Sequence, residues 1–175
     1  MSELRSALVV VVPEVAPAVE PWLERTAVAK PSRGIPAHVT ILFPFVPARE
    51  IDDTLLEDLA AILARFPAFE FELSRLERFP NVLYLAPEPA DPFSTLTEAV
   101  VASYPAYPPY GGIFDTVVPH LTAAEGETEI LDSAEADIGH ALPTTAESRE
   151  VVLLKEIEPD MLRWQIRTVF ALAEP

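Results

Sequence analysis

The chain has 175 residues, half of them hydrophobic, and a formal charge of −16 from 12 Lys and Arg against 28 Asp and Glu. Grip on long nucleic acid needs clustered cations to release counterions, so an extended nucleic-acid surface is excluded, whereas a small phosphorylated substrate or an RNA end is not. Cysteine is absent, which removes disulfides, thiolate metal sites and a cysteine nucleophile together.

The early apolar run "ALVVVVP" has no basic segment before it and no cleavage site after it, so it reads as a first strand rather than a signal peptide. No run approaches the roughly 20 apolar residues that span a bilayer. A cytoplasmic protein with no membrane partner is the expectation. Proline is abundant (19) and glycine scarce (5). The prolines fall mostly between periodic segments and act as punctuation.

In chain order, Leu8–Val12 is a β-branched run ended by Pro13. "APAVEPWLERTA" predicts a short helix with prolines in its first turn, where a missing N–H costs little. "PAHVTILFPF" predicts a strand. "DDTLLEDLAAILARF" carries Leu55, Leu56, Leu59, Ile62 and Leu63 at helical spacing, with Asp52 as cap. "FEFELSRL" alternates Phe69, Phe71 and Leu73 against Glu70, Glu72 and Ser74, a half-buried strand. "NVLYLAP" is its hairpin partner across Pro80-Asn81.

"DPFSTLTEAVVASY" starts a helix with Asp91 as cap and Pro92 at its first position. "YPAYPPYGG" is an irregular loop of the kind that borders sites. "TVVPHLTAAE" is strand-like, and "TEILDSAEADIGHAL" is helical with Ile130, Leu131, Ala134 and Ile138 on one stripe. "REVVLLKEI" and "WQIRTVFALA" close the chain as a hairpin. The order β-α-β-α-β-β-α-β-α-β-β indicates an α+β or mixed α/β fold with no linker, hence one domain over 1–175. Strand, helix and histidine-bearing strand occur in that order twice.

Two of the three histidines share a setting: Pro36-Ala37-His38-Val39-Thr40 and Pro119-His120-Leu121-Thr122. Residues i and i+2 of a strand share a face, so each histidine projects beside a threonine. Chance would produce this pairing in roughly one sequence in a hundred. The bland alternative is two histidines bridging strand ends. The chemistry of the pair is that of phosphoryl transfer. A neutral imidazole takes a proton from the attacking oxygen and a protonated one gives a proton to the leaving oxygen. Two threonine hydroxyls donate to the non-bridging oxygens. None of this needs a metal, a thiol or a nucleotide cofactor.

These motifs resemble the 2H phosphoesterases, in particular the branch of 2′-5′ RNA ligases and RNA 2′,3′-cyclic phosphodiesterases. "GIPAHVTILFPFVP" is similar to the first block of that family and "PPYGGIFDTVVPHLTAAEG" to the second. The resemblance implies two pseudo-symmetric lobes, antiparallel sheets flanked by helices, with the motif strands side by side in a central cleft. It implies His38 and His120 as the catalytic pair and Thr40 and Thr122 as phosphate ligands. The reactions implied are opening of 2′,3′-cyclic phosphates, cleavage of 2′-5′ linkages, or the reverse ligation without ATP.

The acidic balance favours a small cyclic phosphodiester or an RNA end over a large RNA. It is also expected to raise the pKa of both histidines. Tyr107 and Tyr110 are candidates for stacking on a nucleobase or for packing within the loop. Phe45 borders the site at the strand end, and Phe43 belongs to the core by parity. Tyr84 reads as a core tyrosine with a wet hydroxyl. Arg33, Arg78 and Lys155 are cation candidates by position alone. His140 fits a helix end. Two rival readings are a metallohydrolase, whose nearest acids are Asp115 and Glu125, and a non-catalytic protein that binds a phosphorylated ligand.

Overall fold

A computed structural model describes residues 3–26, 34–158 and 163–175. Eight strands and four helices are described: β1 (Ser6–Val11), α1 (Ala16–Thr26), β2 (His38–Leu42), α2 (Asp53–Leu63), β3 (Phe69–Phe79), β4 (Val82–Glu88), α3 (Asp91–Ser103), β5 (Leu121–Glu125), α4 (Thr128–Ile138), β6 (Thr144–Ser148), β7 (Glu150–Glu158) and β8 (Arg163–Ala171). The strands form two four-stranded antiparallel sheets, β2-β1-β7-β8 and β5-β4-β3-β6. The fold is α+β. Among the described residues no helix is long and apolar enough to cross a membrane.

Local chemistry sets most element ends. Asp52 caps α2, its Oδ1 accepting from the Leu55 N–H at 2.9 Å, and Leu55, Leu59 and Leu63 form the buried stripe. Asn81 takes a left-handed conformation (φ 61°) in the β3–β4 turn. Three expectations are corrected. Pro21 lies inside α1 rather than in its first turn. Ala90 precedes α3 without a side-chain cap, and Asp91 is itself helical, where its charge suits the positive end of the dipole. Ile130 is 39% exposed, so Leu131, Ala134 and Ile138 alone carry the α4 stripe. A further strand, β6, pairs with β3 over Phe69–Leu73.

The helices are exchanged between the sheets. α1 leaves β1 of the first sheet yet packs on β5 of the second, while α3 leaves β4 of the second yet packs on β2 of the first. One continuous core results, from Leu8, Val39 and Leu153 through Phe93 and Leu96 to Leu83 and Leu121. Phe93 of α3 sits edge-on to Phe69 and Phe71 of β3, each centroid 5.0 Å away. Each such pair adds about 1 kcal/mol beyond area burial.

The first sheet carries a second cluster on its other face: Ala7, Val9, Val152, Leu154 and Trp164. At its border Arg5 lies over the rings of Phe43 and Trp164, 5.4 and 5.8 Å from their centroids. Its guanidinium grips Glu156 with two bonds, Nε to Oε2 at 3.1 Å and Nη2 to Oε1 at 2.9 Å. Glu156 is 1% exposed, whereas the Arg5 side chain stays 43% exposed. The Arg5 hydrogen bond holds the Glu156 carboxyl below its ordinary range, against the opposing effect of burial.

A carboxyl with a depressed pKa in the folded state contributes fully above its unfolded value, about 4.3, and loses that contribution as pH falls below it. Glu156→Gln is expected to cost about 2 kcal/mol at pH 7, less than the roughly 3–5 of a fully buried pair because Arg5 meets water. The difference from wild type should shrink between pH 5 and pH 3 (about the window of a carboxyl so shifted). Urea midpoints across that range check both statements; equal midpoints at pH 7 contradict them.

Candidate active site

β2 and β5 each form one edge of their sheet and lie against one another. His38 stands opposite Val11 and Thr40 opposite Val9, so both project on the face away from the helices. On the second sheet Thr122 stands opposite Tyr84. The His120 ring meets Tyr84 and Phe79 edge-on, at 5.6 and 5.2 Å. The four motif residues therefore occupy the helix-free faces, where the two sheets adjoin. His120 is close enough for its charge to disfavour protonation of His38.

Both rings are oriented by the same device. His38 Nδ1 lies 2.8 Å from the Pro36 carbonyl, and His120 Nδ1 lies 2.7 Å from the Val118 carbonyl. A carbonyl only accepts, so Nδ1 carries the proton and donates. Nε2 is left as the atom for proton transfer, a lone pair when the ring is neutral. In both cases the acceptor lies two residues upstream, and a proline fixes the approach of the strand.

The backbone beyond each threonine repeats as well. Leu8 pairs with Leu42 and Val9 with Thr40, which leaves Ile41 as an extra residue, a β-bulge. Leu83 pairs with Ala124 and Tyr84 with Thr122, which leaves Ala123 extra in the same way. The first bulge corrects the placement of Phe43. An extra residue inverts the alternation, so Phe43 leaves the main core, joins the cluster on the His38 face, and meets Trp164 edge-on at 6.1 Å. The Ile41 carbonyl, displaced from the ladder, accepts instead from the Thr97 hydroxyl of α3 at 2.7 Å.

The other candidates separate by position. Phe45 is 3% exposed and packed edge-on to Tyr104 and Tyr107, so it offers no face to a base. Tyr107 is tied to Glu50 through its hydroxyl at 3.1 Å. Tyr110 is held at the end of β2, its N–H donating to the Phe43 carbonyl at 2.6 Å, and its ring meets Phe114 edge-on at 5.8 Å. Tyr84 is buried and its hydroxyl donates to Glu77 at 2.9 Å. Arg78 shares a face with buried Leu83 and pairs with Asp132 and Glu135 of α4, and Lys155 shares the face of buried Leu153. Neither projects with the histidines. Arg33 lies outside the described residues, and His140 is exposed in the turn after α4. Among the described residues no three His, Asp or Glu side chains converge in a metal-ligand group.

Sequence reasoning missed Phe79, Thr97 and Arg75. Strict alternation along β3 could have placed Phe79, Glu77 and Arg75 on one face, but that face is revealed as the site only by the pairing of Glu77 with Tyr84 and of Tyr84 with Thr122. Arg75 bridges Glu77 and Glu88, at 3.2 and 3.7 Å.

Burial pushes the His38 pKa below its ordinary value. The Pro36 carbonyl opposes this, and the neighbouring His120 adds to it. The acidity of the chain as a whole led to the opposite expectation for His38, and burial overrides it. A pKa depressed in the folded state means that the unfolded chain binds the proton first, so His38 costs stability as pH falls through about 6.5. Ring-proton titration by NMR should place the His38 midpoint below the ordinary value of about 6.5; a midpoint at or above it contradicts the burial effect. Thr97→Val should cost about 1 kcal/mol, since it strands the Ile41 carbonyl. An unchanged urea midpoint would show that water takes the place of the hydroxyl.

A family model described as the 2′-5′ RNA ligase superfamily matches residues 11–160. A comparison with curated proteins found no match. Among solved structures, E. coli LigT complexed with NADP+ is similar with a TM-score of 0.61 and 16% identity, covering 99% of this chain and 100% of that one. LigT complexed with 3′-AMP gives 0.59 and 17%, with the same coverage. TT0787 of Thermus thermophilus gives 0.61 and 21%, covering 97% and 98%. At such identities the likeness is one of fold.

Proposed function

Since the chain belongs to the 2′-5′ RNA ligase superfamily, we propose that it is a metal-independent phosphoesterase acting on a 2′,3′-cyclic phosphate or 2′-5′ phosphodiester of a nucleotide or RNA end. One bilobal domain over residues 1–175 carries the whole site. The observation that supports this most directly is the matched pair of rings, each with Nδ1 engaged by a carbonyl two residues upstream. Two imidazoles on adjoining strands divide acid and base work on one phosphorus between them.

For a cyclic phosphate the step balances as follows. His38 Nε2 takes a proton from a water molecule, whose oxygen attacks phosphorus. The bond from phosphorus to one ribose oxygen breaks. His120, in its imidazolium form, donates the proton that this oxygen acquires. The product is a phosphomonoester, and the two rings have exchanged protonation states. His38 takes the base role because burial favours its neutral form. Thr40 and Thr122 donate to the non-bridging oxygens as negative charge builds on them. Ligation is the same displacement with a ribose 5′-hydroxyl in place of water: one ring takes its proton, the bond from phosphorus to the 3′-oxygen breaks, the other ring protonates that oxygen, and a 2′-5′ diester results.

A small substrate suits the charge. The net −16 repels an extended polyanion, and the two described arginines near the histidine faces, Arg5 and Arg75, are already paired with carboxylates. LigT has been solved with 3′-AMP and with phosphate, ligands of the size proposed here.

Turnover of a 2′,3′-cyclic nucleotide by the full chain is the test. His38→Ala and His120→Ala should each lower kcat by about 10²–10⁴. Wild-type activity should survive EDTA. Tight binding by the wild type with no product would replace the enzyme reading with a ligand-binding one, and loss of activity to EDTA would restore the metallohydrolase.

A further inference from the structure

We propose that Phe79 and Tyr84 form an aromatic clamp that positions the His120 ring, so that two residues outside the motifs set where the His120 Nε2 points. This rests on the reading of the two histidines as an acid–base pair and adds two positioning residues to it.

Three rings meet on the helix-free face of the second sheet. Glu77 pairs with Tyr84 across the β3–β4 ladder and Tyr84 with Thr122 across the β4–β5 ladder, so the three share that face. Phe79 lies two residues beyond Glu77 and shares it too. The Phe79 and Tyr84 rings stack, 4.2 Å apart and 23° from parallel. The His120 ring stands across both, 5.2 Å from Phe79 at 90° and 5.6 Å from Tyr84 at 69°. The two distances are nearly equal, so His120 lies beside the stack, against both rings at once, rather than on its end. The stack is itself anchored. The Tyr84 hydroxyl donates to Glu77 at 2.9 Å, Glu77 pairs with Arg75 at 3.2 Å, and Arg75 reaches Glu88 at 3.7 Å. Phe79 stands at the β3–β4 turn, where the Asn81 carbonyl accepts from the Gly126 N–H at 3.0 Å. The turn that carries Phe79 is thus tied to the end of the strand that follows His120.

The clamp meets a need specific to His120. The hydrogen bond from His38 Nδ1 to the Pro36 carbonyl is half-buried, whereas the bond from His120 Nδ1 to the Val118 carbonyl is exposed, on a residue itself 43% exposed. Water competes for an exposed bond, whose net worth is then small. One such bond does not fix the plane of the ring. Perpendicular contacts with two aromatic rings fix that plane as well as the place of the imidazole, because ring pairs prefer defined mutual angles. An aliphatic side chain of similar volume has no such preference. Among the described residues the His38 ring meets no other ring, so the clamp belongs to one half of the pseudo-symmetric site. The effect of Phe79 and Tyr84 on the reaction passes through His120 and requires no contact with substrate.

The decisive variant is Phe79→Leu, which keeps an apolar side chain and removes the ring, with Phe79→Tyr to restore a ring. Three readouts are taken on the full chain: the ring-nitrogen signals of His38 and His120 in NMR, inorganic phosphate binding, and kcat and KM on a 2′,3′-cyclic nucleotide. In the wild type at a pH where the ring is neutral, the His120 nitrogens should report a single tautomer protonated at Nδ1. In Phe79→Leu they should move to the averaged position of two exchanging tautomers while the His38 signals stay in place. There kcat should fall about tenfold, the worth of the lost contacts with His120 and Tyr84, and KM and phosphate binding should keep their wild-type values. Phe79→Tyr should restore both kcat and the His120 signals. Should Phe79→Leu not fold, Tyr84→Phe decides: it cuts the anchor to Glu77, keeps the stack, and should move the His120 signals in the same direction by less. A merely structural Phe79 would lower the thermal midpoint and leave the His120 tautomer and kcat as they are, which overturns the proposal. Phosphate binding that falls in step with kcat overturns it too, since Phe79 would then act on the ligand rather than through His120. Should the wild type turn over no cyclic nucleotide, the enzyme reading fails alone and the tautomer signals still decide the clamp.

Discussion

The molecule depends on the exchange of helices between its two sheets. β2 and β5 are edge strands, each paired on one side only, and nothing in the ladders joins them. They lie together because α3 covers β2 and α1 covers β5, each helix having left the opposite sheet. Burial of Val19, Phe93 and Leu96 at about 25 cal/mol per Å² draws both sheets onto one core. The polar motif residues then face away from that core, and the two histidines come together without a direct bond between them.

Local environment outweighs global charge at this site. A chain at −16 would be expected to raise the pKa of its histidines, yet His38 moves down. Most of the carboxylates are exposed, and at physiological salt their influence decays over about 8 Å. Desolvation of the ring is not screened. The same reasoning explains how an acidic protein can hold an anion: hydroxyl donors a few ångströms away act more strongly than distant carboxylates, and two of the nearby arginines are neutralised by Glu156 and Glu77.

Much of this was legible before the fold was known. The paired His-x-Thr strands, the Asp52 cap, the Pro80-Asn81 turn and the alternation of β3 each depend on neighbours within a few residues. What escaped depends on partners far along the chain. The bulges at Ile41 and Ala123 exist only relative to β1 and β4, and parity misplaced Phe43 for that reason. Phe45 looks like a site border until Tyr104 and Tyr107 are seen to enclose it. β6 is five residues of mixed polarity at a sheet edge, too short and too wet to announce itself. Thr97 gives no local signal at all, since its role is set by a carbonyl 56 residues away.

The bulges also bear on how the chain avoids pairing errors. A strand with period-two alternation that slips by one residue keeps its hydrogen bonds and turns every side chain to the wrong side. Here such a slip would bury His38 and Thr40 and expose Val39. An irregularity directly after each threonine removes that degeneracy, because the extra residue can be accommodated at one point only, where Thr97 waits for the displaced carbonyl in the first half. The kink that spoils the regularity of β2 thus acts as a ruler for the strand, and the chemistry of the site inherits its accuracy.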